Sequence, residues 1–105
     1  YKLESEQRST LHLSAVIASN FSNHMLTIAK SLMDKQDMSF DLLQNVVYSM
    51  VQKAFDIGPE NGQTGPAIRE DLATLEKHRK LLKSDRDLHK LYTLISNHII
   101  NTHRH

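Results

Sequence analysis

Residues 57–71 read Ile-Gly-Pro-Glu-Asn-Gly-Gln-Thr-Gly-Pro-Ala-Ile-Arg-Glu-Asp, and this stretch decides the fold. It holds every glycine of the chain (Gly58, Gly62, Gly65) and both prolines (Pro59, Pro66), all within nine residues. Glycine and proline interrupt helices more strongly than any other residue, so the stretch is one long bend between two halves that can each be helical from end to end. Thr64-Gly65-Pro66 sets a hydroxyl and an unhindered backbone ahead of a proline suited to the first turn of a helix, and Arg69 follows about one turn later. A helix start of that kind, with free amides and a guanidinium nearby, is a place for a carboxylate or phosphate. The commoner arrangement is a capped loop whose arginine pairs with Glu70, Asp71 or another acidic side chain.

Working outward, the 105 residues of the chain make one domain with a single core, too short for a nucleotide-binding domain plus a substrate domain. There is no cysteine. A disulfide framework and a thiolate metal site are therefore excluded, and a cytoplasmic setting is the expectation. Thirteen Lys plus Arg against 12 Asp plus Glu leave a net charge of +1, which gives no drive toward nucleic acid or a membrane. Seven histidines (12, 24, 78, 89, 98, 103, 105) include no pair three or four apart, so no metal site is expected on one helix face. The terminal His103-Arg104-His105 reads as a frayed tail. The chain opens on Tyr1 and shows no signal peptide, which suggests a trimmed piece of a longer protein.

The first half opens with a helix expected from about Ser5 to about Asp34. Between Arg8 and Lys30 it carries no charged residue, yet its Ser, Thr, Asn and His are too many for a membrane span. Leu13, Val16/Ile17, Phe21, Ile28 and Leu32 form one apolar stripe, and Leu11, Ala15, Ala18, Ser22, Met25 and Ala29 form a second face of mostly small side chains. A helix apolar on two faces needs two sets of neighbours, so part of its cover is expected from a second subunit or from another domain. Asn20, Asn23 and His24 fall in the middle of this run. They either satisfy one another, the backbone or a symmetry mate, or they line a polar cleft.

A second helix is expected from an N-cap at Ser39 to about Phe55, with Phe40, Leu43, Val47, Met50/Val51 and Ala54 inward. The four methionines read as core or interface filler. A third helix is expected from about Pro66 to Leu82, with Ile68, Leu72, Leu75 and Leu82 inward. Ser84-Asp85-Arg86-Asp87 resembles a capping box and opens a fourth helix through Leu88, Leu91/Tyr92, Ile95 and Ile99. The basic residues from Lys77 to Lys90 are interrupted by Asp85 and Asp87 and have no aromatic among them to stack a base, so a solvated face is the better account. No segment alternates with period two, and the expectation is an all-α, four-helix domain with one long central helix.

LHLSAVIASNFSNHM (11–25), FDLLQ (40–44) and above all NGQTGPAIREDLATLEKH (61–78) make the chain similar to the C-terminal domain of a family of Rossmann-fold oxidoreductases, domain-of-unknown-function family 2520. The likeness runs from about Arg8 to Tyr92 and rests on two paired signatures, Asn20-Phe21-Ser22-Asn23-His24 and Thr64-Gly65-Pro66-Ala67-Ile68-Arg69. Members resemble pyrroline-carboxylate reductase, ketopantoate reductase and the phosphogluconate and hydroxyacid dehydrogenases. The resemblance implies an N-terminal NAD(P)-binding Rossmann domain in cis, absent from this chain, followed by a helical, phosphogluconate-dehydrogenase-like domain (residues 1–105) that dimerises and closes the substrate cleft.

Gly58, Gly62 and Gly65 do not form GxGxxG and no strand precedes them, so no cofactor is expected in this chain; NAD(P) is implied for the longer parent. The resemblance further implies substrate contacts at Asn20, Asn23, Thr64, Gly65 and Arg69, with His24 and Asn23 as candidate catalytic residues. Hydroxyacid dehydrogenases carry a lysine four residues before the asparagine that Asn23 matches. Here that position is Ser19, which cannot supply a protonated ammonium to polarise a carbonyl. The expected role is a dimerisation and substrate-cleft domain for a small anionic substrate, inactive alone, and the rival is a purely structural or protein-interaction helical domain.

Overall fold

A computed structural model describes residues 2–104 of the chain, which are all-α. The elements are α1 (Ser5–Ala15), a π-helical segment (Val16–Phe21), α2 (Ser22–Asp34), a 3-10 turn (Phe40–Leu43), α3 (Gln44–Ile57), a single turn α4 (Pro59–Gly62), α5 (Leu72–Leu81) and α6 (Arg86–His103). The four expected helices are present, and no strand occurs among the described residues. No helix among them is long and apolar enough to cross a membrane. Two compact units are distinguished, Tyr1–Val47 and Tyr48–His105.

In the first unit, α1, the π-helical segment and α2 form one helical run from Ser5 to Asp34, matching the expected bounds. Glu4 and Gln7 close its start with a reciprocal capping box, the Glu4 amide donating to Gln7 Oε1 at 2.9 Å. The wide π turn in the middle was not expected, and the sequence shows why it forms. Leu13, Ile17, Phe21 and Met25 recur at steps of four. In an α-helix of 3.6 residues per turn each such step drifts by about 40° around the axis, so the four would spiral off one face. A segment bonded i to i+5 takes up the extra residue and keeps the stripe in line.

Among the described residues that stripe is exposed. Neither α1, the π-helical segment nor α2 contains a buried residue, and Leu11, Leu13, Ile17, Phe21, Met25 and Leu32 are all exposed. The cover expected from elsewhere is therefore not supplied by these residues themselves.

After the run, Asp37 takes a left-handed conformation (φ 54°) and Ser39 caps the next element as expected, its hydroxyl accepting from the Asp41 amide at 3.2 Å. The first turn is 3-10 before the chain settles into α3. Leu43, Val47 and Ala54 face partly inward, but the apolar arc extends past them on both sides. Leu42, Val46 and Met50 are exposed on one flank, and Tyr48, Val51 and Phe55 on the other, Phe55 at 88%.

The second unit holds the small core. Ala67, Leu75 and Leu82 are buried, Leu75 to 2%, together with Ser96 on α6. Two expectations are corrected here. Leu72, expected inward, is 66% exposed because it sits in the first turn of α5 rather than mid-helix. The fourth helix is capped by Asp85 rather than Ser84: its carboxylate accepts from the Leu88 amide at 3.1 Å and is a stronger acceptor than the serine hydroxyl one residue earlier.

Candidate functional site

The bend departs most from expectation. Gly58 (φ 87°) leads into α4, where Pro59 occupies the first turn. Gly65 (φ 102°) has a backbone that other residues rarely adopt; the space beside it is open, so conformation alone calls for glycine. The third helix does not begin at Pro66. Pro66 to Arg69 make one isolated turn, closed by hydrogen bonds from the Asp71 amide to the Pro66 carbonyl (2.9 Å) and from the Glu70 amide to the Ala67 carbonyl (2.9 Å). Glu70 sits at φ 51°, and this pair of bonds around a left-handed residue is the Schellman stop of a helix end.

Asp71 then restarts the chain as the N-cap of α5, accepting from the Thr74 amide (3.2 Å) and the Thr74 hydroxyl (2.7 Å). Burial of Ala67 under the turn and this double cap together favour the break over a helix running on from Pro66. The helix start expected at Pro66 is thereby corrected: the helix begins at Leu72, behind the Asp71 cap.

Arg69 is exposed at 62% of its side chain, with its guanidinium 3.9 Å from Asp71, a long pair at the surface. Thr64 is exposed and Gly65 half-buried. Thr74 hydrogen bonds, from the hydroxyl first and then the backbone, hold the Asp71 carboxyl below the usual carboxylate range; Arg69 and His78 act in the same direction against a desolvation cost. Glu70 in turn pairs with Arg104, so the residue after α6 is tied to the left-handed corner.

On the long helical run, Asn20 is the fifth residue of the π turn, and Asn23 and His24 follow in the first turn of α2. All three are exposed. Among the described residues none of their side chains is hydrogen-bonded within the chain; only the Asn23 carbonyl is engaged, by the Thr27 hydroxyl at 3.3 Å. They do not satisfy one another, and they belong to the kind of irregular helical turn that recurs at functional sites.

One polar cluster was not foreseen. His78 Nδ1 and the Tyr92 hydroxyl are 2.7 Å apart where α5 meets α6, with the rings edge to face at 5.7 Å. Burial pushes the Tyr92 hydroxyl above the usual tyrosine range, opposed by the Arg79 charge and the Ser96 hydroxyl. Thr93 Oγ1 lies buried nearby in sequence without a partner. Fourteen residues separate His78 from Tyr92, so no local spacing could have paired them, whereas the Asp71-x-x-Thr74 cap was open to discovery.

With this geometry in hand, the comparisons place the chain. It belongs to the family described as domain of unknown function DUF2520, whose model matches residues 1–99. It is also similar to a solved structure of a putative NADP oxidoreductase from Bacteroides fragilis, at 38% identity and a TM-score of 0.93, over 96% of this chain and 39% of that one. The chain thus spans well under half of that protein's length. No curated protein matches it.

Proposed function

We propose that this chain is the dimerisation and substrate-cleft domain of an NADP-dependent oxidoreductase that works in the cytoplasm on a small anionic substrate. The observation that carries the reading is the likeness, at 38% identity over 96% of the chain, to part of a protein described as an NADP oxidoreductase. The dinucleotide belongs to an N-terminal Rossmann domain of the parent. The described residues contain no strand and their glycines lack the pyrophosphate-binding spacing, so the fold of this chain does not fit that cofactor. Hydride transfer is the chemistry of the nicotinamide, and the part left to this chain is to orient the substrate.

Asn20, Asn23, Thr64, Gly65 and Arg69 are the proposed substrate contacts, with His24 and Asn23 as candidate proton donors or positioning groups. Support comes from the exposed, unpaired side chains of Asn20, Asn23 and His24 beside the π turn, and from the exposure of Thr64 and Arg69. The homodimer reading is supported by the uncovered apolar stripe of the long helical run.

The test is an NADPH titration followed by fluorescence. The full-length parent is expected to bind in the micromolar range and the 105-residue chain not at all; tight binding by the chain alone would place the cofactor site wrongly. In the parent, Arg69→Ala is expected to weaken an anionic substrate by about 1.5 to 3 kcal/mol with the fold intact. The contact between Arg69 and Asp71 favours a second, structural reading of the bend. Under that reading the same substitution leaves affinity unchanged and lowers the melting temperature instead.

A further inference from the structure

Ala73, Lys77, Lys80 and Leu81 fall on one side of α5 at about 100° per residue, and the buried Leu75 and Leu82 fall on the other. With Glu76, Lys83 and Ser84 they line an open groove of about 640 Å³. Leu81 lies in it 72% exposed. Among the described residues Lys77, Lys80 and Lys83 have no ion-pair partner, and the one acidic lining residue, Glu76, is held by Arg79 at 3.2 Å. Ser84 brings a hydroxyl that capping leaves free, because Asp85 caps α6 in its place. Residues 73–90 hold six basic side chains against three acidic ones, and the rest of the chain seven against nine, so the positive charge is concentrated here. A face that is merely solvated has no reason to be recessed or to hold a leucine in the open. An apolar floor with a charged rim is the pattern of a docking surface.

We infer that this groove takes an acidic, amphipathic helix of a separate protein, its apolar side on Ala73, Leu81 and the lysine stems, its carboxylates on the ammoniums of Lys77, Lys80 and Lys83. Charge selects the partner. Three unpaired ammoniums within seven residues repel one another, and a carboxylate among them relieves that repulsion where a basic surface would add to it. Shape selects its form. The lining positions 73, 77, 80 and 81 repeat every three to four residues and follow α5 for about 12 Å, which matches the side-chain spacing of a second helix laid along the first. No aromatic residue lines the groove, so a nucleotide base has nothing to stack on, and its recessed leucine is out of reach of a flat lipid surface. None of the proposed substrate contacts lines it either, which makes the inference independent of the substrate reading.

The probe is an amidated helical peptide of about 15 residues with leucine at every third or fourth position and glutamate beside each leucine; its companion carries lysine for each glutamate. Both are titrated against the full-length parent and followed by fluorescence anisotropy. The acidic peptide is expected to bind with a dissociation constant below about 100 μM, and the basic one not to bind. Lys77→Glu with Lys80→Glu is expected to weaken binding about tenfold or more with helicity retained, and Leu81→Ser about threefold or more. Lys2→Glu with Lys35→Glu makes the same change of net charge outside the groove and is expected to leave binding unchanged. Carbodiimide coupling followed by mass spectrometry is expected to join the peptide to Lys77, Lys80 or Lys83. No binding by the parent, an equal loss in the two double variants, or cross-links spread over other lysines overturns the docking site. Retention of the parent on phosphatidylserine vesicles without peptide binding overturns it in favour of a membrane surface.

Discussion

The long helical run of residues 5–34 and the α5–α6 pair are both helical but are held in different ways. The run is longer and more apolar over its central part, yet it contains no buried residue, and its shape comes from backbone bonds, one capping box and a surface Lys30–Asp34 pair. The α5–α6 pair is shorter and more charged, yet it contains Leu75 at 2% exposure, a buried Ser96 and a hydrogen bond between residues 14 apart. The difference teaches that apolar content alone does not say where a core lies. Position relative to a second element decides it, and among the described residues no element of the run's own unit buries any part of it.

The contrast breaks most sharply at Leu75. Leu75→Ala removes a fully packed side chain and is expected to lower unfolding stability by about 2 to 5 kcal/mol. Phe21→Ala, a larger deletion from the exposed run, should leave the stability of the dilute monomer almost unchanged and act on association instead. Thermal unfolding at several protein concentrations separates the two, and a large, concentration-independent loss for Phe21→Ala would mean that the run is buried within one chain.

A smaller effect is expected at the His78–Tyr92 contact. Tyr92→Phe keeps the ring and removes one partly buried hydrogen bond, a loss of about 0.5 to 1.5 kcal/mol by urea denaturation. His78→Ala combined with it should add little further hydrogen-bond loss, since the two side chains form a single bond. Strict additivity in the double-mutant cycle would show that the 2.7 Å contact is not energetically coupled.

The smallest effect is pH-dependent. The Asp71 carboxyl is held below its ordinary value of 3.8, chiefly by Thr74. A depressed folded value means that the unfolded chain takes up protons first as acid is added. The stabilisation from Asp71 is therefore complete above about pH 4 to 5 and fades as pH falls through the folded value. Melting temperatures of the parent chain and Asp71→Asn, measured from pH 6 to pH 2, should be separated at the upper end and converge at the lower. Parallel curves would remove the charged cap from the account.

Much of this was legible beforehand. The bounds of the long run, the cap at Ser39, the all-α class and the family signatures followed from periodicity, punctuation and the motifs themselves. What escaped were choices between competing local structures. Ser84 and Asp85 are both good caps, and the stronger acceptor won. Pro66 is a good first helical residue, but the helix after it stops within one turn because Asp71 offers a doubly bonded cap five residues on. The π turn is hidden for another reason: a spacing of four is shared by α and π geometry, and only the sum over several steps distinguishes them. The candidate site residues were named through the signatures rather than through their chemistry, and only their exposure and lack of partners come from the structure.

The wide turn at Val16–Phe21 also bears on how this helix tolerates insertion and deletion. A segment that absorbs one surplus residue is a splice point: deleting one residue there can restore an ordinary α-helix while leaving everything before Val16 and after Phe21 in phase. Most helix interiors forbid such an edit, because it rotates the whole downstream face by about 100° away from its neighbours. Relatives one residue shorter in this segment would keep the same apolar stripe, and an alignment that insists on an ungapped helix would misplace Asn20 while setting Asn23 and His24 one position out of register.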